Sequence, residues 1–170
     1  MTTYIALLRG INVGGQAKLP MAELRDLAEK AGMENVRTYI QSGNVVFESA
    51  LSKGAVTKKL EKEIEAHMQK HIAVMVRSQK ELRAVLAKNP FPKADPKKVG
   101  VIFFKEAVPK DFKNDVSTPG NETVHTLTHE VYIHYPDGMG RSKLKLPTCA
   151  KSGTMRNINT IQKLVELAKE

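Results

Sequence analysis

The sequence predicts an α+β protein in which a ferredoxin-like βαββαβ N-terminal half is followed by a second, smaller α/β half (βαββα) packed on it. Short apolar segments and amphipathic helical segments follow one another in that order along the chain. The hydrophobic fraction of 41% and the charged fraction of 26% are typical of globular domains. We expect one α/β half at residues 1–78, a helix and proline-rich connector at 79–97, and the second half at 98–170.

The first elements are a strand, a glycine loop and a helix. Residues 3–8 are almost continuously apolar and short, which favours a central strand. Pro20 stands at a first helical position and Gly32 follows the last apolar residue of a helical stripe. These signals predict a helix between the two residues.

A hairpin, a second helix and a strand complete the first half. Residues 36–47 alternate between apolar and polar side chains, and the alternation breaks at residues 41–44, which predicts a hairpin with a tight polar tip. An apolar stripe at helical spacing predicts a helix from near Ser52 to near His71. Residues 72–76 supply the fourth strand.

The second half begins after a helix that a capping box opens, with Ser78 at the cap and Glu81 three residues later. Two prolines at residues 89–92 end that helix. The segment at 106–121 is polar and is expected to hold at most a short helix. The remaining predicted elements are strands at 99–104, 124–127 and 131–135 and a final helix at 155–168.

The charge distribution favours an anionic partner. The chain has 27 basic and 18 acidic residues, a net charge of +9. Its basic residues cluster near the C-terminus, which suits a phosphate ester, a nucleotide or a nucleic acid as partner. A solvated basic face without a ligand is the alternative. Between positions 138 and 163 the basic residues are Arg141, Lys143, Lys145, Lys151, Arg156 and Lys163, with no acidic residue among them.

The glycine loop after the first strand is a candidate anion site. Arg9 and Lys18 bracket it, and Asn12 can either cap a turn or contact a ligand. It is not a P-loop, because no serine or threonine follows Lys18, and adjacent Gly14 and Gly15 break the dinucleotide pattern. A ligand loop and a glycine-rich connector both remain open.

The hairpin tip adds three hydrogen-bonding side chains, those of Gln41, Ser42 and Asn44. Turn chemistry alone explains serine, glycine and asparagine at such a tip. Gln41 is the residue that turn geometry does not require.

A second glycine loop at residues 134–143 gives the sharpest local anion signal. Arg141, Ser142 and Lys143 stand where a helix is expected to begin. Free backbone N–H groups at a helix start, together with a guanidinium and an ammonium group, suit a phosphate.

The last predicted helix adds a basic stack. At 100° per residue, Arg156, Thr160 and Lys163 fall within a 60° arc on one side of the helix. These side chains either face a ligand or are simply exposed to solvent. Asn157 falls among the apolar positions, so its amide must either cap backbone from another segment or face a site at the helix start.

No metal, cofactor or catalytic residue is assigned from the sequence. His67 and His71 are four residues apart on a helix, but no third ligand accompanies them. Cys149 is the single cysteine, so no internal disulfide can form, and a cytoplasmic location is expected.

The motifs together resemble an uncharacterised bacterial family, domain-of-unknown-function family 1697. The resemblance rests on Leu-Arg-Gly-Ile-Asn-Val-Gly-Gly at residues 8–15, the segment 38–47, the segment 135–143 and Arg-Asn at 156–157. It implies an α+β protein with a ferredoxin-like first half and brings no established reaction. Ile158 stands where the family pattern leads us to expect an aromatic residue.

Three functions fit these observations. The first is a binding site for a nucleotide or a phosphorylated small molecule, formed by convergence of the two glycine loops, the hairpin tip and the last helix. The second is nucleic-acid binding, although the aromatic content is only 5%. The third is a non-catalytic protein-interaction module. The predicted ligand-binding residues are Arg9, Asn12, Gly14, Gly15, Lys18, Gln41, Ser42, Asn44, Arg141, Ser142, Lys143, Arg156, Asn157, Thr160 and Lys163.

Overall fold

Two units make up the chain in the computed structural model, which describes residues 1–169. The first unit comprises Met1–Ala84 together with the C-terminal residues from Lys163 onward, and the second comprises Val85–Gln162. Each unit contains a four-stranded sheet accompanied by helices. The predicted α+β class in two halves is therefore confirmed.

The first unit is built on the predicted βαββαβ sequence of elements. They are β1 (Thr2–Leu8), α1 (Met21–Lys30), β2 (Glu34–Tyr39), β3 (Asn44–Ser49), α2 (Lys53–Met68) and β4 (Val74–Ser78). The strand order is β2-β3-β1-β4, and every pair of neighbours is antiparallel. This is the ferredoxin-like arrangement that the sequence predicts.

One face of this sheet carries the core of the first unit. Side chains alternate along a strand, so Tyr4 and Leu8 of β1 share a face, where they are buried together with Leu24 of α1 and Leu60 of α2. The rings of Tyr4 and Phe47 lie 5.9 Å apart in this core. The aromatic residues of β1 and β3 therefore belong to the helix side of the sheet.

The helix boundaries differ slightly from the predicted ones. Pro20 is the N-cap of α1, with φ −60°, so the helix begins one residue later than expected. Ser52 caps α2 by accepting a hydrogen bond from the Ala55 N–H at 3.3 Å. Gln69, in the left-handed region with φ 55°, ends α2 before His71.

The predicted capping box is confirmed at the start of α3 (Gln79–Ala87). The Glu81 N–H donates to Ser78 Oγ at 3.1 Å, and the Ser78 N–H donates to Glu81 Oε1 at 2.9 Å. Lys53 Nζ donates to Glu81 Oε2 at 2.8 Å, which links the start of α3 to α2. Burial acts to raise the pKa of Glu81, but the hydrogen bonds from Lys53 and the Ser78 N–H outweigh it, and the pKa is lowered.

The second unit contains a second antiparallel sheet. After α3, which spans the division between the units, come β5 (Val99–Phe103), β6 (Thr123–Thr126), β7 (Glu130–His134) and β8 (Thr154–Asn157). Helix α4 (Ile158–Ala168) follows, and its last turns belong to the first unit. The strand order is β6-β7-β5-β8, with antiparallel neighbours.

Strand β8 corrects one prediction. The helix expected over residues 155–168 begins only at Ile158, because residues 154–157 pair with β5, as in the register of Val101 with Arg156. Four residues are too few to show a period of their own beside the strong periodicity of the helix that follows. The second half therefore holds one strand more than the sequence indicates.

Loops, rather than helices, cover one face of the second sheet. Ile102, Val131 and Ile133 are buried with Phe112 and with apolar side chains of the long connections. These connections contain single turns of 3₁₀ helix at Phe112–Asp115, Met139–Arg141 and Thr148–Ser152. The loops of this unit are thus fixed by packing, which gives them defined shapes.

The C-terminal residues join the first unit at β2. Arg37 Nη1, on that strand, donates a hydrogen bond to the backbone carbonyl of Leu167 in α4. The first unit is therefore formed from two separate parts of the chain. Of the helices that the structure describes, none has the length and apolar character needed to cross a membrane.

Changing Glu81 to glutamine tests the capping box and its ion pair. Glutamine can keep the cap hydrogen bond but loses the charge that Lys53 contacts. Because the folded pKa is lowered, the charge stabilises the fold above the usual glutamate pKa of 4.5, and this is lost as pH falls through the folded value. We expect Glu81→Gln to cost about 0.5 kcal/mol at pH 7, since solvent screens the pair.

Urea unfolding at pH 7 and pH 3 measures this effect. The difference in unfolding free energy between the native protein and Glu81→Gln should shrink at the lower pH. Exposed Glu106 lies in a loop of the second unit, and Glu106→Gln serves as the control. An equal loss at both pH values would contradict a role for the charge.

Candidate functional site

The glycine loop after β1 is a miniature hairpin. The Asn12 N–H donates to the Ala17 carbonyl and the Gln16 N–H to the Val13 carbonyl, both at 3.0 Å. Gly14 and Gly15 form its turn with φ of 58° and 75°, a pair of left-handed conformations that suits a tight hairpin turn. Two backbone N–H groups are consequently used within the loop.

Asn12 fastens this loop to its surroundings. Its Nδ2 donates to the Leu19 carbonyl at 2.9 Å and to the Gln41 carbonyl at 2.7 Å, and its Oδ1 accepts from the Leu19 N–H at 2.7 Å. The side chain therefore joins the loop both to the start of α1 and to the β2–β3 hairpin. In this conformation the amide group of Asn12 serves the fold.

The tip of the β2–β3 hairpin is fixed by Gly43 and Asn44. The Leu8 N–H donates to the Gly43 carbonyl at 2.9 Å. A Cβ on Gly43 would lie 2.6 Å from Ile11 Cδ1, and its φ is 89°, so only glycine fits. Asn44 is fully buried, and its Nδ2 donates to the Tyr39 carbonyl at 2.8 Å.

The first unit thus brings together two of the predicted motifs, the glycine loop and the hairpin tip. Arg9, Lys18 and Gln41 are exposed beside them. Ile40, 45% exposed, has φ 50°, an uncommon conformation for a β-branched residue. The ligand-binding role of these residues, and the convergence of all the basic motifs, stay predictions.

A pocket of about 140 Å³ lies within the second unit. One wall is the turn that precedes β6, and the other is the loop that follows β7. Arg141, Ser142 and Lys143, all predicted ligand residues, belong to this second wall. The lining residues are Pro119, Gly120, Glu122, Tyr135, Pro136, Asp137, Gly138, Arg141, Ser142 and Lys143.

Hydrogen bonds hold the two walls together. Ser142 Oγ donates to Glu122 Oε1 at 2.6 Å and accepts from the Leu144 N–H at 3.1 Å. Ser117 and Lys145 exchange two backbone hydrogen bonds, each of 2.9 Å. The pocket is therefore a built feature of this unit.

Glu122 is the pocket residue that sequence reasoning missed. The hydrogen bond from Ser142 is the main cause of a lowered pKa at Glu122, so its carboxylate is ionised at neutral pH. Burial, and then the Glu122 charge, raise the pKa of Tyr135 to about 12, so its hydroxyl stays protonated. Glu122 follows a proline–glycine turn, and no local pattern distinguishes it from a surface glutamate.

The helix expected to begin at residues 141–143 is not present. Met139–Arg141 is one turn of 3₁₀ helix that ends at Ser142, whose N–H donates to the Met139 carbonyl at 3.2 Å. The backbone is extended at Ser142, with φ −74° and ψ 136°, and Lys145 then pairs with Ser117, so the chain continues as an extended segment. The N–H groups of a helix start, on which the prediction relied, are therefore not present at residues 141–143.

The basic stack expected on the last helix is also wrong, because Arg156 lies on β8. It is buried, and its Nη1 donates to Thr154 Oγ1 at 2.8 Å and to the Met155 carbonyl at 2.9 Å. Burial lowers the pKa of its guanidinium to about 10. Thr160 is buried as well, whereas exposed Lys163 lies 3.6 Å from Glu166.

Asn157 caps the helix that directly follows it, a role that differs from both predicted alternatives, capping another segment or facing a site. Its Oδ1 accepts a hydrogen bond at 2.8 Å from the N–H of Thr160, the third residue of α4. Among the described residues, no group of three His, Cys, Asp or Glu side chains could hold a metal ion.

Comparison with known proteins finds a matching family model and solved structures of similar fold. A family model described as "Protein of unknown function (DUF1697)" matches residues 1–132. A conserved bacterial protein from Streptococcus pneumoniae, SP0830, has a similar structure, with a TM-score of 0.79 and 25% sequence identity over 98% of each chain. No curated protein matches. The pocket wall at 135–143 lies beyond the residues that the family model matches.

Gly43→Ala tests the hairpin tip. The new Cβ would meet Ile11 and Leu8 at a left-handed φ, so we expect a loss of about 2–4 kcal/mol in unfolding free energy. Urea denaturation followed by circular dichroism measures it. The control is Gly54→Ala in α2, where nothing lies within 4 Å and alanine should stabilise the helix by up to about 1 kcal/mol.

Gly138→Ala tests the backbone of the pocket. Alanine at φ 89° and ψ 152° is strained, which should cost about 1–3 kcal/mol and speed hydrogen exchange at residues 135–143. Gly140→Ala is the matched control, because Gly140 has neither a left-handed φ nor an atom within 4 Å of a new Cβ. If both variants exchange like the native protein, Gly138 does not set the loop.

Proposed function

Because the chain belongs to the DUF1697 family of proteins of unknown function, we propose a function from the geometry of the second unit: it binds a small phosphorylated molecule in the pocket that Arg141 and Lys143 line. The observation that carries this proposal is that both cations line a pocket whose walls are hydrogen-bonded together. An arginine guanidinium can bind a phosphate with two parallel hydrogen bonds, and a lysine adds a point charge.

The size of the pocket limits the ligand. Its 140 Å³ is well below the about 300–1,000 Å³ of sites that enclose drug-sized molecules. It suits one phosphoryl group with a short substituent, and a nucleotide would have to leave its base outside. A phosphorylated metabolite with few carbon atoms is therefore the favoured class.

The charges of the pocket favour binding over proton transfer. Glu122 is ionised and Tyr135 protonated at neutral pH, and efficient proton transfer needs a pKa close to the working pH. We therefore propose that these two groups serve binding and not proton transfer.

Nucleic-acid binding has less support. Ferredoxin-like RNA platforms stack bases on aromatic residues of the sheet face opposite the helices. In the first unit Tyr4 and Phe47 are in the core on the helix side. The residues that alternate with them, such as Ile5 and Val46, are not aromatic.

Titration with propyl phosphate, followed by calorimetry or ligand NMR, tests the proposal. The native protein should show saturable binding, and the double variant Arg141→Gln, Lys143→Gln should bind at least about tenfold more weakly, since hydrogen bonds between charged groups are lost. The control double variant is Lys110→Gln, Lys151→Gln, which removes two exposed cations of the same unit that do not line the pocket.

The two double variants have the same net charge, so they separate the pocket from general electrostatics. Equal weakening in both would mean that the affinity belongs to the basic surface. Absence of binding to the native protein would end the proposal and favour the interaction module.

A further inference from the structure

The pocket holds a carboxylate that phosphate binding does not use. Glu122 lines the pocket with Arg141 and Lys143. Its Oε1 accepts the hydrogen bond from Ser142, Oε2 is buried against Gly120, and backbone hydrogen bonds at Glu122 and Gly120 also lower the pKa of the carboxyl group. A carboxylate can accept several hydrogen bonds, and buried polar atoms in native proteins are nearly always paired. A carboxylate has about four acceptor positions, so beside these three donors Glu122 can accept one further hydrogen bond on the side that lines the pocket.

The local sequence makes room for this carboxylate. Gly120 lies against it, and a Cβ added there would be 2.7 Å from Glu122 Oε2. The Ser142 hydroxyl holds the other oxygen at 2.6 Å. Glu122 is thus positioned from both walls of the pocket.

The charge of Glu122 also affects which ligands fit. The lining carries two cations, Arg141 and Lys143, and two carboxylates, Glu122 and Asp137. A ligand that is anionic throughout would approach the ionised Glu122 with unfavourable electrostatics. A ligand that also carries a hydrogen-bond donor would meet a partner there.

On the premise of the proposed function, we infer that Glu122 selects the ligand: the pocket takes a short phosphate monoester that also carries a donor, either a hydroxyl or an ammonium group. Arg141 and Lys143 contact the phosphate, and the Glu122 carboxylate accepts the hydrogen bond of the donor. The class comprises phosphorylated short polyols and phosphorylated short amines, which share this chemistry.

Three monoesters of nearly equal size separate these cases. Propyl phosphate ends in a methyl group, 2-hydroxyethyl phosphate in a hydroxyl and 2-aminoethyl phosphate in an ammonium. At least one of the two donor-bearing esters should bind the native protein about tenfold more tightly than propyl phosphate, as expected for a hydrogen bond to a charged group. Whichever of these two esters binds more tightly identifies a phosphorylated polyol or a phosphorylated amine as the preferred class of ligand.

Two variants assign this preference to a residue. Glu122→Gln should reduce the preference for the better donor-bearing ester to about twofold or less, and propyl phosphate should bind this variant more tightly than the native protein, because the change removes a negative charge that opposes the phosphate. Asp137→Asn makes the same chemical change at the other carboxylate of the pocket and should leave the preference as in the native protein. Thermal unfolding establishes that both variants are folded. The affinities of the three esters for the native protein can be ranked even if a variant does not fold.

The outcomes distinguish this inference from its premise. If none of the three esters binds, the proposed function fails. If all three bind the native protein equally, phosphate binding stands and selection by Glu122 is overturned. A preference that survives Glu122→Gln, or that disappears in Asp137→Asn instead, also overturns it.

Discussion

The pairing of β1 on both of its edges is the constraint on which the first unit depends. Its partners are β3 on one side and β4 on the other. The pairing extends to the end of the strand, where the Leu8 N–H donates to the Gly43 carbonyl at 2.9 Å, and just past it, where the Arg9 N–H donates to the Ala73 carbonyl at 3.0 Å. The chain therefore leaves β1 held between the hairpin tip and the approach to β4, and the glycine loop must turn sharply at that point.

The second unit is stabilised in a different way. Its sheet has loop side chains on one face, and those loops are fixed by turns, by apolar contacts and by the Ser142–Glu122 hydrogen bond. A pocket between two such loops keeps its shape without a helix to support it. Loops held by a rigid sheet are where binding residues are commonly found, because their side chains can vary without disturbing the core.

The sequence predicts the first unit well because each of its elements carries its own signal. Amphipathic stripes, the proline before α1 and the Ser78–Glu81 capping box depend on neighbours in sequence, so local patterns reveal them. Strand β8 was missed because its existence depends on pairing with β5, which is distant in the chain. Glu122 was missed for a similar reason, since its importance comes from Ser142, twenty residues away.

The same distinction separates the predicted site residues whose surroundings could be anticipated from those whose surroundings could not. The basic residues at 141 and 143 were found by charge, a property visible in sequence, and they line the pocket. Arg156 was placed on a helix because its spacing fits one, yet its side chain is buried on a strand. Whether a cation is buried or faces solvent depends on tertiary packing, which spacing alone does not encode.

The hydrogen bond from Arg37 to the Leu167 carbonyl has a consequence for folding during synthesis. The first unit ends its N-terminal part at Ala84 and resumes at Lys163. At about 5–20 residues per second, the ribosome needs on the order of 4–16 s to make the intervening segment. During that interval β2 lacks the partner that Arg37 later contacts, so the nascent N-terminal sheet must persist in an incomplete form until the second unit has been made.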